Sequence, residues 1–253
     1  IVGCGFSGLL CGHYLREAGI ENVCIFEMNS SLGGVWGHGG VGSYPGAACD
    51  VPSYTYLPFL DRTGFIPSKK YVNQIEIADY AEMLADYCWN REDVRFSRKV
   101  IDMTYLDEGN WKIATWDMES DSPGETVFAR HVVSANGPLS SPRMPEVSGM
   151  DLFQGESFHT ASWDRKASLA GKRVGVIGTG ASAAQVITSI ADEVESLTVF
   201  QRTATWALPR DDEPTPPEIV QAFEAGGYSE KLRYVDWKKE FPPDPNVPFT
   251  FEM

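Results

Sequence analysis

The sequence predicts an α/β protein with two Rossmann-like dinucleotide-binding domains and a small antiparallel β layer in the first of them. Two glycine-rich turns carry this prediction, because each follows an apolar strand and opens a helix. A short strand follows each helix and leads to a charged residue, Glu27 in the first copy and Arg202 in the second. Both charged residues stand 24 positions after the first glycine of their motif. This matched register predicts two copies of one strand–turn–helix–strand unit.

The first turn reads GCGFSG and contains Gly3, Gly5 and Gly8. In such a motif the first glycine permits the tight turn, the second lets a pyrophosphate approach the backbone, and the third lets helix and strand pack closely. The acid at the end of the next strand, Glu27, is suited to accept a hydrogen bond from a ribose hydroxyl. The alternative is a glycine-rich turn without a ligand, which the strand, helix and acid together disfavour. The first site is therefore predicted to bind FAD, or NAD.

The second turn reads GTGASA and contains Gly178, Gly180 and Ala183, after a predicted strand at 173–177. Where the first copy has an acid, this copy has Arg202 at the end of its second strand, and an arginine there accommodates the 2′-phosphate of NADP. The alternative is a solvated surface arginine, which the matched register disfavours. The second site is therefore predicted to bind NADPH.

The remaining regular elements follow from periodicity. Three segments, starting near residues 94, 110 and 125, alternate like strands and have turn signals at 107–110 and 121–124, which predicts the antiparallel layer. A helix is predicted within 73–90, with a buried face at Ile77, Tyr80, Ala81, Leu84 and Tyr87. The helix after the second glycine turn is predicted to bury Ala184, Ile187, Ile190 and Ala191.

Length and composition bound the class of protein. A chain of 253 residues forms one large or two ordinary domains, and the Pro- and Gly-rich stretch at 137–152 predicts the division. We expect a flavin domain at 1–150 and the second nucleotide-binding domain at 151–253. The net charge of −14 argues against a nucleic-acid partner, since phosphate contacts need lysine and arginine. No apolar run is long enough to span a bilayer.

The cysteines bear on the redox partner and the compartment. They stand at positions 4, 11, 24, 49 and 88 and include no CxxC pair, so neither a metal site nor a disulfide framework is predicted. A redox dithiol is disfavoured for the same reason, which leaves oxygen as the acceptor of the flavin's electrons. This cysteine usage suits a reducing compartment, and we expect a cytoplasmic protein. The chain opens within an apolar strand and without Met, so we expect a fragment incomplete at both ends, and an upstream targeting signal stays open.

The stretch between the first site and the predicted helix is rich in glycine and aromatic residues, among them Trp36. Paired glycines let the backbone pass close to a flat ring system. Asp50 is a carboxylate in a largely uncharged part of this stretch. It is either a turn cap or an active-site group, and its spacing alone leaves both interpretations open.

The segment FQGESFHTASWD, residues 153–164, resembles the fingerprint of the Baeyer–Villiger monooxygenases, which are class B flavin-containing monooxygenases related to enzymes like N,N-dimethylaniline monooxygenase. The matching residues are Phe153, Gly155, His159, Trp163 and Asp164. The two glycine motifs have this family's order and spacing. YPGAACDVPSYTYLP and FQRTATW are similar to its stretches after the flavin site and at the nicotinamide-phosphate turn. The resemblance extends over nearly the whole chain, and the fingerprint is more specific than either glycine motif.

The resemblance implies the residues of three sites. The FAD contacts would be Gly3, Gly5, Phe6, Ser7, Gly8, Glu27, Gly34, Val35, Trp36, Tyr56 and the backbone of Val100. The NADPH contacts would be Gly178, Thr179, Gly180, Ala181, Ser182, Ala183, Gln185, Arg202 and Thr203. Asp50 matches the family's active-site aspartate, which favours the catalytic interpretation of this residue. The fingerprint is implied to be a mechanical linker, in which His159 and Trp163 couple movement of the nicotinamide domain to the flavin without contacting substrate.

The resemblance also implies the activity. One oxygen atom from O2 would be inserted next to a ketone carbonyl through a flavin peroxide, giving an ester or lactone at the expense of NADPH. The alternatives are an N- or S-oxygenating flavin monooxygenase and a non-catalytic nucleotide-binding fragment. Ser43 departs from the family, which has an arginine before the Tyr-Pro-Gly, and the family's catalytic arginine is expected beyond residue 253. The substrate itself and the oligomeric state have no signature in the sequence.

Overall fold

The computed structural model describes residues 1–40, 42–88, 91–206 and 210–226. The strands are β1 (Ile25–Phe26), β2 (Val94–Arg95), β3 (Arg98–Tyr105), β4 (Trp111–Asp117), β5 (Ser122–Ala129), β6 (Arg173–Ile177) and β7 (Ser196–Phe200). The helices are α1 (Phe6–Glu17), α2 (Ser53–Tyr56), α3 (Leu60–Thr63), α4 (Gln74–Cys88), α5 (Ala181–Ile190) and α6 (Pro217–Glu224). The last part of the predicted second domain, 227–253, lies outside the described residues.

A short parallel layer organises the first half of the chain. Strand β1 pairs in parallel with β2, and Val2 bridges in parallel to both Phe26 and Ser134. The opening strand therefore runs between β1 and the segment at Ser134. Gly3 follows directly at the carboxyl edge, which is where open α/β sheets bind their ligands.

Helices α1 and α4 pack against each other beside this layer. Helix α4 buries four of its five predicted positions: Ile77, Tyr80, Ala81 and Leu84. The prediction is wrong for Tyr87, which is 45% exposed. It lies at the border of the apolar face, where its ring packs edge-on to Phe59 with the centroids 6.1 Å apart.

The predicted antiparallel layer is present, with strand order β3-β4-β5. Its second turn differs from the prediction, because Ser122, Pro123 and Gly124 already belong to β5. The reversal takes place at 118–121, where the Asp117 carboxylate accepts hydrogen bonds from two backbone N–H groups of the turn. These bonds hold the pKa of Asp117 below its usual value. Strand β5 has room only for glycine at position 124, because a Cβ there would lie 2.5 Å from Thr115 Oγ1, which is too close for any other residue.

The second half repeats the strand–turn–helix–strand unit. Strands β6 and β7 pair in parallel, and β6 has the predicted bounds. Helix α5 buries Ala183, Val186 and Ile190, whereas the predicted Ala184 and Ala191 are exposed. The loop around Gly46 packs beside Gln185 and Ser189, so the helix face that carries Ala184 and Ala191 points away from this contact.

Residues 210–226 run back along the first half. The backbone N–H of Lys70 donates to Glu213 O at 2.9 Å, and that of Thr215 donates to Ser68 O at 3.0 Å. Helix α6 then places Phe223 in the same buried cluster as the residues of α1 and α4. No helix in the described part of the chain is long and apolar enough to cross a membrane.

Candidate active site

The first glycine turn joins the opening strand to α1, and each glycine has a separate reason to be there. Gly3 has φ +99°, and a Cβ on it would lie 2.6 Å from Ala135 O. A Cβ on Gly8 would lie 2.0 Å from Gly3 O, so only glycine lets α1 pack this closely on the turn. Gly5 caps α1 without any side-chain hydrogen bond, which leaves the helix N-terminus available for a phosphate.

Glu27 follows β1 and is almost fully buried, with 3% of its surface exposed. Its carboxylate accepts hydrogen bonds from Cys4 N at 2.8 Å, Asn29 N at 2.9 Å and Asn29 Nδ2 at 2.8 Å. A carboxylate has about four acceptor positions, so capacity remains for a ribose hydroxyl. Strand β3 begins beside the same residue, since Arg98 N donates to Glu27 O at 2.8 Å, and Val100 lies two residues further along β3.

The glycine-rich segment that contains Gly33 and Gly34 crosses the first glycine turn. Gly33 N donates to Cys4 O at 2.9 Å, and a Cβ on Gly34 would lie 3.0 Å from Gly5 Cα. The predicted FAD residues on either side of this crossing, from Gly3 to Gly8 and from Gly34 to Trp36, are therefore brought together. Ser7 is exposed in the first turn of α1, and Val35 is half-buried.

Aromatic side chains extend this site toward Asp50. The indole of Trp36 donates to Tyr56 Oη at 2.6 Å, and the ring of Phe6 packs edge-on to Tyr56 at 6.1 Å between centroids. Burial raises the pKa of Tyr56, and the hydrogen bond from Trp36 opposes this rise. Tyr56 follows Asp50 by six residues in the same stretch of chain.

Asp50 is exposed and sits on a well-anchored loop. The residue before it, Cys49, is fully buried, and its N–H donates to Val72 O at 2.9 Å. Burial raises the pKa of the Cys49 thiol, so this cysteine is neutral at physiological pH. The Ser43 that replaces the family's arginine turns inward and donates to Gly40 O at 2.6 Å.

The second glycine turn has the same backbone geometry as the first. Gly178 has φ +109°, its N–H donates to Phe200 O at 2.8 Å, and Gly180 caps α5 without a side-chain hydrogen bond. A Cβ on Gly178 or Gly180 would meet nothing within 4 Å. The outer side of this turn is therefore open, and the α5 residues Ala181 and Ser182 lie at its edge.

Arg202 and Thr203 lie in an exposed segment after β7, which ends at Phe200, earlier than predicted. This segment is held against the glycine turn because Thr205 Oγ1 lies 3.1 Å from Thr179 Oγ1. The exposed Arg202 thus lies three residues before a contact with the glycine turn that precedes the uncapped start of α5.

The fingerprint residues make mostly local contacts. The ring of Phe153 covers Gly155, where a Cβ would lie 2.6 Å from the ring, and Trp163 packs edge-on to Phe158 at 4.9 Å. Asp164 accepts a hydrogen bond from Lys166 N at 2.8 Å.

His159 Nδ1 accepts a hydrogen bond from Ala161 N at 3.0 Å, which places the ring proton of the neutral histidine on Nε2. His159 also lines a cavity of about 350 Å³, together with Val35 and Trp36 from the first site and Ser182 from the second. Residues of both predicted cofactor sites and of the fingerprint therefore face the same space.

Sequence reasoning missed one side chain near Asp50 and the additional contacts of another. Gln185 is predicted to contact NADPH, and its amide also accepts from Tyr44 Oη at 2.8 Å and donates to Ala48 O at 2.9 Å. Arg210 was not assigned at all, yet it donates a hydrogen bond to Cys49 O, directly before Asp50. Neither residue belongs to a periodic pattern that links it to its distant partner.

The residues present fit two dinucleotides. The first site offers an uncapped helix start, a close crossing of glycine backbones and a buried carboxylate with spare acceptor capacity. The second offers an open glycine turn, an uncapped helix start and a basic residue. Two such sites on one cavity define the class of two-nucleotide flavoproteins.

The chain belongs to the flavin-binding monooxygenase-like family, whose family model matches residues 1–223. A Baeyer-Villiger monooxygenase of Streptomyces coelicolor is 41% identical over 217 residues, which are 84% of this chain and 39% of that protein. A cyclohexanone monooxygenase from Rhodococcus sp. Phi1 bound to NADP+ has a TM-score of 0.80 at 37% identity, over 92% of this chain and 43% of that one. A structure of OTEMO in complex with FAD and NADP has a TM-score of 0.81 at 32% identity, over 92% and 44%.

These similarities confirm the predicted family resemblance and the predicted fold class. The chain spans about 40% of the length of the curated relatives it matches. The likeness in structure covers 92% of the chain.

Proposed function

We propose that the protein is an FAD- and NADPH-dependent monooxygenase that inserts one oxygen atom next to a ketone carbonyl and forms an ester or lactone. The observation that carries this proposal is the shared cavity, which Trp36, His159 and Ser182 line from the two cofactor sites and the fingerprint. Relatives and solved structures of Baeyer-Villiger enzymes, among them a cyclohexanone monooxygenase with bound epsilon-caprolactone, support the same chemistry.

We propose that the first turn holds FAD and the second holds NADPH. When bound, NADPH would supply the hydride equivalent and FAD the redox chemistry that activates O2. The start of α1 binds the FAD pyrophosphate, and Glu27 binds the ribose. The start of α5 binds the NADPH pyrophosphate, and Arg202 with Thr203 binds the 2′-phosphate. The division of the chain into a flavin domain at 1–150 and a nicotinamide domain from 151 onward is part of this proposal.

The chain's own residues supply the aromatic, charged and hydrogen-bonding groups around the proposed flavin position. Phe6 and Trp36 each pack edge-on to Tyr56, and these three rings would form an aromatic surface for the flavin ring. The Asp50 carboxylate, six residues before Tyr56, is suited to orient a guanidinium toward a developing oxyanion. The Nε2–H of His159 is available as a donor at the cavity wall, because its Nδ1 is engaged by Ala161.

The proposed position of the protein in the cell rests on its thiols. All five cysteines are free, and Cys4, Cys49 and Cys88 are buried. Free thiols at these positions support a reducing compartment, and we propose a cytoplasmic location.

A competition between substrate classes tests the proposed activity. The intact FAD-loaded protein is supplied with NADPH, oxygen and an equimolar mixture of a cyclic ketone, a tertiary amine and a thioether, and the products are identified by mass spectrometry. Ester or lactone as the main product supports the proposal. N-oxide or sulfoxide alone would move the protein to heteroatom oxygenation and contradict it.

A further inference from the structure

Two consecutive backbone carbonyls just before Asp50 are bound by side chains from the second half of the chain. The amide of Gln185 donates through Nε2 to Ala48 O at 2.9 Å. The guanidinium of Arg210 donates through Nη2 to the next carbonyl, Cys49 O. These contacts join residues 137 and 161 positions apart in sequence.

The carbonyls of Ala48 and Cys49 accept these hydrogen bonds from the second half, while neighbouring backbone groups pair within the first half. Ala48 pairs with Asn73 in an antiparallel bridge, in which Cys49 N donates to Val72 O and Gln74 N donates to Ala47 O. This pairing engages the groups on one side of the segment and turns the carbonyl of Ala48 toward α5. The loop that carries Asp50 is thus fixed to its own domain along one edge and to the nicotinamide half along the other.

Hydrogen bonds at both ends of its amide hold the Gln185 side chain in this position. Its Oε1 accepts a hydrogen bond from Tyr44 Oη at 2.8 Å, so both ends of the amide are engaged by the loop before Asp50. Gly46, with φ +75°, brings that loop so close to α5 that a Cβ would lie 2.5 Å from Gln185 O. Gln185 stands on the first turns of the same helix whose N-terminus faces the proposed NADPH pyrophosphate.

Arg210 is held from a second direction. Its guanidinium carbon lies 3.8 Å from the centroid of the buried Tyr71 ring, a stacking distance for a cation on an aromatic face. Two residues on, Asp212 accepts from Tyr71 N at 3.2 Å and from Lys69 Nζ at 2.5 Å. Arg210 also follows closely on Arg202 and Thr203, the proposed ligands of the 2′-phosphate.

We propose that Gln185 and Arg210 are positioning residues that transmit occupancy of the NADPH site to the placement of Asp50. This inference rests on the proposed function of the two nucleotide sites. NADPH would contact the start of α5, which carries Gln185, and also Arg202 and Thr203, which precede Arg210 by eight and seven residues. Because such a coupling is reciprocal, the affinity for NADP+ also depends on these contacts with the Asp50 loop.

The test uses the intact FAD-loaded protein with Arg210→Met, Arg210→Lys and Gln185→Leu, and Arg130→Met as the matched control on an exposed arginine. Two quantities are measured: the rate of flavin reduction by NADPH, and the share of oxidised NADPH that ends in oxygenated product of any class instead of hydrogen peroxide. Misplacing Asp50 should lower that share about tenfold in Arg210→Met while flavin reduction changes little. Arg210→Lys should recover part of the loss, since it keeps a donor and a cation, and Arg130→Met should match the wild type.

Gln185→Leu should lower the product share. Arg210→Met, which removes no predicted NADPH contact, should also weaken binding of NADP+, because the coupling is reciprocal. A double variant of Arg210→Met with Asp50→Asn should lose no more product share than Asp50→Asn alone, since both act on one step. Full additivity, an unchanged product share, or equal losses in reduction and product share would overturn the inference. Because the readout counts every oxygenated product, it remains valid if the substrate proves to be an amine or a sulfide.

Discussion

At the residue scale, Glu27 and Arg202 distinguish the nucleotide preferences proposed for the two sites. The two stand at the same offset in their motifs, and the structure places each just beyond the second strand of its unit. Glu27 is buried and hydrogen-bonded, whereas Arg202 is exposed at the open turn. A buried carboxylate repels a phosphate and accepts a hydrogen bond from a hydroxyl, which favours NADPH at the second position, as proposed.

Arg202→Gln should therefore reduce the preference for NADPH over NADH. Loss of a charged hydrogen bond of about 1.5–3 kcal/mol corresponds to about a tenfold to hundredfold weaker NADPH binding. The measurement is kcat/KM for both nucleotides, with Arg165→Gln as a control on an exposed arginine in the same half. Equal losses for NADPH and NADH would show that Arg202 does not contact the 2′-phosphate.

Asp50→Asn keeps the size of the side chain and removes its charge. Both cofactors should bind as in the wild type, because the Asp50 loop is held by backbone contacts to Val72 and Lys70. Ester formation should fall at least about a hundredfold, as expected for loss of an electrostatic contribution to the reaction. Product formation and NADPH oxidation are measured in parallel, and a wild-type product rate would remove Asp50 from the mechanism.

At the scale of the element, glycines of the two turns serve different purposes. Gly8 is required by packing, since a Cβ there would lie 2.0 Å from the Gly3 carbonyl oxygen. Gly180 has φ −72° and open space around it, so the protein itself tolerates a larger residue there. The space above Gly180 is instead the proposed path of the NADPH pyrophosphate.

Alanine at Gly8 should therefore affect the stability of the protein, whereas alanine at Gly180 should affect its affinity for NADPH. Gly8→Ala should lower the free energy of unfolding by about 1–3 kcal/mol, because α1 must move off the turn. Gly180→Ala should leave the free energy of unfolding unchanged and weaken NADPH binding. Denaturant titration and NADPH titration on both variants check this pair, and a stable Gly8→Ala protein with full flavin content would contradict it.

At the scale of the whole molecule, buried thiols and phenols set the alkaline limit of stability. Burial raises the pKa of Cys4 to about 12 and that of Cys88 to about 11, and it also raises the pKa of Tyr80. In the unfolded chain the thiols ionise near their ordinary pKa of about 9. The folded state therefore binds these protons more tightly, and its stability is full below pH 9 and is lost as the pH rises toward 12.

The thermal midpoint should consequently fall between pH 8 and pH 10.5, and Cys4→Ala should show a shallower fall than the wild type. The comparison of the two slopes separates the thiol from the growing net negative charge, which affects both proteins alike. Identical slopes in the two proteins would contradict the assignment to Cys4.

Much of this architecture could be predicted because it is encoded locally. The glycine spacings, Glu27, strand β6 and the apolar face of α4 each lie within a short window with a clear period. The predicted start of β5 is wrong because Pro123 and Gly124 are typical of turns, and the close approach of Thr115 that explains Gly124 in a strand has no local signal. The contacts of Gln185 and Arg210 with the Asp50 loop could not be foreseen, since each joins residues more than 130 positions apart and the loop has no periodic pattern.

The most direct measurement of the central claim is the origin of the oxygen atom in the product. The intact protein, with FAD and NADPH, converts a cyclic ketone under 18O2 in unlabelled water, and the product is analysed by mass spectrometry against the NADPH consumed. The account predicts a lactone that carries one 18O atom for each NADPH oxidised. Unlabelled product, or consumption of NADPH with hydrogen peroxide as the only oxygen product across a panel of ketones, would contradict it.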